Sequence, residues 1–451
     1  MRLWNLQELK NILNAAPVIK GWVITQESLN RRERYFLMDS GRLAIDQDRE
    51  ARDFSIRLRV FVRLGAQQDR QGESSIKLHG DQPLEPQLKA LLEAASLADQ
   101  AIWELAPSPV AALAPVQGHD PAIAEDIHAA MERLTTRLAG AIAVVQGAQF
   151  NSAELFVGLH EREQHFSNGL THRSLQTRIY SEAAFSATGS GISDEYLETR
   201  WSSLEKDLPI EELVRESAER ARHMIQVAPA VAGTFPVMVD SEVLLALFNG
   251  HLAQLSGANH YHELPCLKIG DPLIPSARGD LITLHLDPAL EGGADTVAVS
   301  GDGTPQMRRT LVRNNRVEAL VMDQQHGQYL GLPVGVSRGS VVIDPGTRSK
   351  QELIESRPRV LEILQLSGLF TDENSGTFGS EIRLARLHER ESGRITYIKG
   401  GSISGSIQEN FADLGLSRET IRRCHFENGV PSGSGYSGPA WVLLSDVSIS
   451  G

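Results

Sequence analysis

The sequence predicts an α+β protein: an N-terminal mixed α/β domain over residues 1–228, then a strand-rich C-terminal domain over 233–451. Three observations predict it. Early segments alternate between helical and strand periodicity. An amphipathic stretch at 209–226 ends in VAPAVAG, which breaks the pattern. Beyond it, short apolar runs recur between Gly and Pro punctuation (LITLHL, SVVIDPG, EIRLARLHE, RITYIKGGSISGSI, AWVLLSDVSISG), as expected of a mixed or antiparallel sheet or a closed barrel.

Taken in order, residues 5–15 predict a short amphipathic helix. Residues 19–64 alternate with period two around a turn at Ser40-Gly41 and predict strands. Residues 83–101 predict a helix with Leu88, Leu91, Leu92 and Ala95 on one face. The Pro/Ala-rich 104–118 predicts a surface connection, 121–138 a second helix, and 152–190 more strands. In 209–226, Ile210, Leu213, Val214, Ala218, Ala221, Met224 and Ile225 form one stripe, with Pro209 where a first-turn proline is tolerated.

Composition narrows function by exclusion. A 451-residue chain, 41% hydrophobic and 22% charged, is an ordinary globular composition of two or three domains. The net charge of −13 argues against a nucleic-acid surface, which draws on Lys and Arg to neutralise phosphates. No run offers the ~18 apolar residues of a membrane span, and the first residues do not read as a signal peptide. Two cysteines, Cys266 and Cys424, imply no disulfide framework, so a cytoplasmic location is expected.

The most telling stretch is 237–271, VMVDSEVLLALFNGHLAQLSGANHYHELPCLKIGD. It reads as a strand, a helix capped by Asp240 or Ser241, and a loop. Val243, Leu244, Leu247, Phe248, His251, Leu252 and Leu255 recur at helical spacing, and Gly257 supplies a stop. Together with FSNGLTHRSLQTRIYSEAAFSA (166–187), GDGTPQMRRTLVRNNRVEALVMDQQHGQYLG (301–331), KGGSISG (399–405) and GPAWVLLSDVSISG (438–451), it resembles the TldD/PmbA family of metallopeptidases, also labelled modulators of DNA gyrase. In the catalytic, TldD-like members the equivalent helix carries H-E-x-x-x-H, two metal ligands and a general base. Here, with His251 as the second His, the run is Ala246-Leu247-Phe248-Asn249-Gly250-His251. The first ligand and the base are missing, which resembles the PmbA-like (TldE-like) branch.

That resemblance implies a chain with no catalytic residue and no metal of its own. A TldD-like partner would hold a divalent metal, zinc by preference, in a heterodimer or larger assembly. Alone, the chain would form a homodimer. Substrates would be extended peptides, cleaved, matured or otherwise modified, with no nucleic acid and no membrane involved. The rivals are a self-sufficient homodimeric metallopeptidase with an unusual metal site and a peptide-binding scaffold without protease activity.

Other residues carry weaker signals. His160-Glu-Arg-Glu-Gln-His165 spells H-E-x-x-x-H, but Leu155, Val157 and Leu159 alternate as on a strand. Residues five apart on a strand face opposite ways, so the motif reads as a solvated strand edge. His260, His262 and Cys266, with Cys424, offer ligand types without a defensible spacing, and His251 reads as a core residue. Asp302, Glu318 and Asp323 read as surface ion-pairing carboxylates. Gly400, Gly401, Ser402, Ser404 and Gly405 form a stretch of small side chains. It reads either as a substrate-binding strand to which an extended peptide pairs, or as a bulge or tight bend at a barrel corner.

Overall fold

The computed structural model describes residues 5–39, 42–64, 69–107, 116–189, 192–264, 266–372, 375–426 and 433–451. At residues 42, 192, 193, 241, 242, 249, 251, 426, 433 and 434 it describes the backbone alone. The turn expected at Ser40-Gly41 lies outside the described residues. The strand-rich α+β architecture expected from the sequence is present.

A 13-stranded sheet spans the molecule. Its N-terminal portion is built on two long strands, Ile19–Asp39 and Arg42–Arg63, paired from Ile19↔Val62 to Asp39↔Arg42. Gln149–Phe166 pairs antiparallel with the first, and Thr171–Gly189 and Ile192–Ser202 follow. The bridge Cys424↔Trp201 joins this portion to Thr420–Phe426 and five further strand segments with Gly433–Pro439 and Ser340–Ile343 among them.

The period-two pattern decides which face is covered. Trp22, Ile24, Ile56, Leu58, Val60 and Val62 turn one way and pack on Leu9 and Leu13 of helix Leu6–Ala15 and on Leu91 and Ala95 of helix Leu84–Leu97. Further along, Leu155, Val157, Ile179, Ala183 and Phe185 pack on helices Ile127–Ala143 and Ile210–Met224. Each buried side chain of this kind contributes about 1.5–3 kcal/mol.

Two helices differ in extent from the sequence reading. The 121–138 helix is divided at Asp126, whose extended backbone (φ −149°) ends Pro121–Glu125 and begins Ile127–Ala143. Its carboxylate accepts from His128 N (2.9 Å) and Ala129 N (3.0 Å), which holds its pKa below the usual carboxylate value. The 83–101 helix stops at Leu97, and Gln100–Ala101 pairs as a short strand with Arg70–Leu78.

The second sheet has nine strands, and five close on themselves. Gly233–Asp240 pairs with Arg359–Leu366 and with Trp441–Ser450. The latter pairs with Ser402–Ser406, which pairs with Thr377–Glu389, which returns to Arg359–Leu366. Val237, Val239, Leu361, Ile363, Ala385, Ile403, Val442 and Leu444 belong to its core. That cluster draws only on residues from Phe235 onward, while the two larger N-terminal clusters end at Met224 apart from Leu384. Closure removes the unpaired edges that an open sheet would expose.

Candidate functional site

Helix Ser241–Gln254 follows directly on the barrel strand Gly233–Asp240. Leu244, Leu247 and Phe248 are fully buried. The Phe248 ring meets the edge of Phe411 at 5.8 Å and stacks on Tyr436 at 6.3 Å. The side chain of His251 lies outside the described residues. The helix ends at Gln254 rather than at Gly257, which instead opens a short helix, Gly257–Tyr261, capped by Ser256. Gly257 is needed for close approach: its N–H donates to Val321 O (2.8 Å), and a Cβ would run into Met322.

The remaining ligand-type side chains are scattered. His260 Nε2 lies 2.8 Å from Leu267 O, and the His262 ring faces those of Tyr261 and His326. Cys424 is buried elsewhere, beside Ala294 and Trp201, with its Sγ donating to Gly292 O at 3.3 Å. Burial pushes the Cys424 thiol up to about 11, and also raises that of the partly exposed Cys266. Among the described residues, no three of His, Cys, Asp and Glu gather where they could hold a metal ion.

The His160–His165 run is a strand, as its alternation predicts, but not a solvated edge. The strand pairs on both sides, and His160 (8% exposed) and His165 (5%) are buried. His165 lies 3.1 Å from Lys10 Nζ and 2.9 Å from Glu163. His160 sits among Arg178 and Arg162, and burial followed by those two charges pushes its pKa down to about 4.

Asp302 also departs from the surface reading. It is buried, and its carboxylate accepts from Thr304 N (3.2 Å) and Gln324 N (2.8 Å), stapling a turn to the next helix. Asp323 caps that helix and contacts His326 Nδ1 at 2.8 Å. Glu318 pairs with Arg313 at 2.8 Å on the surface, as expected.

The glycine-serine stretch is a strand kinked at its centre. Arg394–Lys399 and Ser402–Ser406 lie on the same side of Thr377–Glu389, and Gly400 (φ +82°) and Gly401 (φ +76°) connect them. Gly400 N donates to Ile382 O and Ile382 N to Gly401 O, each at 3.0 Å. Ser402 and Ser404 pair on one side with Glu381 and Gly379 and on the other with Ser450 and Ser448. Gly405 packs against Asn410 and Phe378. At Ser402 and Ser404 both backbone edges are taken by strands of the chain itself, and Gly400 and Gly401 make a bend at the barrel corner.

Sequence patterns do not reveal an ionic cluster that ties helix Ile210–Met224 to both sheets. Glu198 (6% exposed) contacts Arg200 Nη1 at 2.7 Å and Tyr196 OH at 2.9 Å, and Arg220 completes the group. Nearby Glu362 (3% exposed) receives Arg386 at 2.6 and 3.0 Å, Lys350 at 2.7 Å and His388 at 2.8 Å. Burial pushes both carboxyls up, but the surrounding cations outweigh it and hold both below the usual range. Carboxylates held this firmly as anions are structural ties, unsuited to giving up protons near neutrality.

Residues 232–451 match the PmbA/TldA metallopeptidase C-terminal domain. This C-terminal half of the chain belongs to the PmbA/TldD family. Over the whole fold it is similar to TldE from Thermococcus kodakarensis (TM-score 0.76, 16% identity, 99% of this chain and 100% of that one). It is also similar to a protein described as a modulator of DNA gyrase from Bacteroides thetaiotaomicron (TM-score 0.75, 14% identity, 98% and 97% covered). A third, of the same description, is from Thermotoga maritima (TM-score 0.74, 16% identity, 99% and 100% covered). A metalloprotease from Methanothermobacter thermautotrophicus is 24% identical over 223 residues, 46% of this chain and 47% of that relative. The aligned segment is therefore about half of either protein.

With His251 set at the second His of the motif, Ala246 and Leu247 would fall at the first ligand and the base, and neither side chain can coordinate or take a proton. Leu247 and Phe248 point into the apolar core, and no described side chain substitutes for the missing groups. The described residues do not fit a catalytic metal at this helix.

Proposed function

We propose that this chain is the TldE-like, non-catalytic subunit of a heteromeric metallopeptidase that processes or degrades extended peptides in the cytoplasm. The observation that carries this reading is the apolar run Ala246-Leu247-Phe248 on the helix that bears the metal-binding motif in TldD-like chains. Family membership supports the general kind of activity. In this reading a TldD-like partner supplies the divalent metal, zinc by preference, and the general base. This chain walls off the peptide path and restricts which substrates enter. Without its partner it self-associates as a homodimer.

The test is co-expression with a TldD-like chain carrying H-E-x-x-x-H. A heteromer should co-purify, hold metal in proportion to the TldD-like chain, and cleave or modify unstructured peptides. The chain alone should hold no stoichiometric metal by elemental analysis and show no peptidase activity. About one tightly held metal per chain in the isolated protein, together with activity, would replace this reading with a self-sufficient homodimeric enzyme. A chain that ignores every TldD-like partner would leave the peptide-binding scaffold as the better description.

A further inference from the structure

A cleft of about 430 Å³ lies at one end of the N-terminal sheet, lined by Leu13 and Asn14 of helix Leu6–Ala15 as well as by strand residues. This is within the range of small-molecule sites. Trp22, Phe61 and Trp103 form its aromatic walls, with Lys20 and Glu104 among the polar lining groups. Phe61 and Trp103 meet edge to face at 5.1 Å, and the Arg59 guanidinium lies over both rings, 4.9 and 5.2 Å from their centroids. Trp22 Nε1 is already satisfied by Asn14 Oδ1 at 2.9 Å.

Two polar groups of the cleft are not satisfied. Gln71 is 1% exposed, and neither its amide nitrogen nor its amide oxygen has a hydrogen-bond partner among the described residues. Trp103 is 3% exposed, and its indole N–H is likewise unpartnered. Buried polar groups are nearly always bonded, because each orphan costs the full price of its desolvation. A leucine would fill the place of Gln71 without that penalty. An amide and an indole N–H lining one aromatic cleft are instead the groups needed to recognise a ligand.

We propose that this cleft is a binding subsite for a peptide unit carrying an aromatic or large apolar side chain. A peptide unit offers one N–H and one C=O. The Gln71 amide offers the complement, an acceptor and a donor on one rigid plane. Trp103 Nε1 donates to a second carbonyl, and the side chain of the ligand lies against Trp22 and Phe61. Charge argues for a neutral ligand: Lys20 and Glu104 lie 3.7 Å apart and offset each other. Gln71 and Trp103 turn their polar ends to the ligand on binding. The subsite belongs to this chain's own sheet, so the inference stands whether or not a catalytic partner exists.

The test uses the full chain without a partner and N-acetylphenylalaninamide as probe, followed by calorimetry and by tryptophan fluorescence. Wild type should bind saturably in the millimolar range or tighter and should raise its melting temperature with probe. Gln71→Leu should weaken binding at least tenfold while raising the melting temperature without probe, because it removes an orphaned amide. Trp103→Phe keeps a ring and should weaken binding severalfold. N-acetylphenylalanine, with a free carboxylate, should bind more weakly than the amide. No saturable binding by wild type would overturn the inference, and so would equal affinity in Gln71→Leu. A Gln71→Leu variant less stable than wild type would show that the amide is bonded within the protein, and would overturn it as well.

Discussion

Phe248 and Tyr436 lie nearly parallel, their ring centroids 6.3 Å apart and their planes 14° from each other. The contact locks helix Ser241–Gln254 to the strand Gly433–Pro439. Tyr436 is fully buried and its hydroxyl donates to Pro439 O at 2.9 Å, so its ring has little freedom to turn. A helix fixed in this register carries Leu247 into the core beside Leu244. This face of the helix is given over to packing.

The packing makes the helix intolerant of a carboxylate at Leu247. Leu247→Glu places a carboxylate in a site with no exposed surface. It loses apolar burial and adds an unpaired polar group, a combination expected to cost more than ~3 kcal/mol. Urea denaturation measures this directly. A variant with an unchanged midpoint would mean that Leu247 does not face the core.

The glycine pair at the barrel corner predicts a graded response. Gly400 has φ +82° and open space where a Cβ would go, so Gly400→Ala carries only the left-handed backbone cost, about 1 kcal/mol. Gly401 has φ +76°, and a Cβ there would run into Ser450 O and lie 2.6 Å from Ala230 Cβ. Gly401→Val should cost far more, ~3 kcal/mol or beyond. Comparing the melting temperatures of the two variants decides it. A stable Gly401→Val protein would contradict the kinked-strand geometry.

How far the sequence speaks depends on the range of the interaction. Period-two alternation at Ile56, Leu58, Val60 and Val62 is local, and it marks both the strand and its covered face. The barrel is less legible, because closure depends on Arg359–Leu366 meeting both Gly233–Asp240 and Thr377–Glu389, pairings between residues more than 100 apart in one case. That Ala246 and Leu247 can neither coordinate a metal nor take a proton is legible directly, because it depends on residue type alone. His160 was misleading as an edge residue: charges flank it, yet the neighbours that bury it come from Ile19–Asp39 and Thr171–Gly189. Gln71 gives no sign in the sequence, since an unpartnered amide is defined only by what surrounds it.

The cluster around Glu198 predicts a large penalty for removing one cation. Arg220→Met keeps much of the side-chain bulk but leaves Glu198 one of its two cations, Arg200, beside the neutral Tyr196 hydroxyl, inside a site 6% exposed. Stranding a buried charge in this way costs about 3–5 kcal/mol. The double variant Arg220→Met with Glu198→Gln should recover part of the loss, because it removes the stranded charge too. Denaturation of the three variants in parallel gives the coupling. Additive losses would mean that the two side chains do not depend on each other.

His160 predicts a pH dependence whose sign follows from its surroundings. It faces Arg162 on its own strand and Arg178 on the next, with Leu29 opposite on the other side. Burial comes first and the two guanidinium charges second, and together they lower its pKa from 6.5 to about 4. The folded imidazole therefore stays neutral down to about pH 4, whereas the unfolded one takes a proton near 6.5. Between those values the unfolded chain binds more protons, so folding stability falls as the pH falls. The full contribution is present above pH 6.5 and is lost towards pH 4, amounting to about 3 kcal/mol from this group. His165, His172 and His223 are also lowered, mainly by burial, and add to the slope with the same sign. His160→Gln removes one titrating group and keeps a polar side chain of similar reach. Melting temperatures measured from pH 7 to 4.5 should decline less steeply for His160→Gln than for wild type. Parallel curves for the two proteins would show that His160 takes up its proton as readily in the folded chain as in the unfolded one, contrary to its burial beside Arg162 and Arg178.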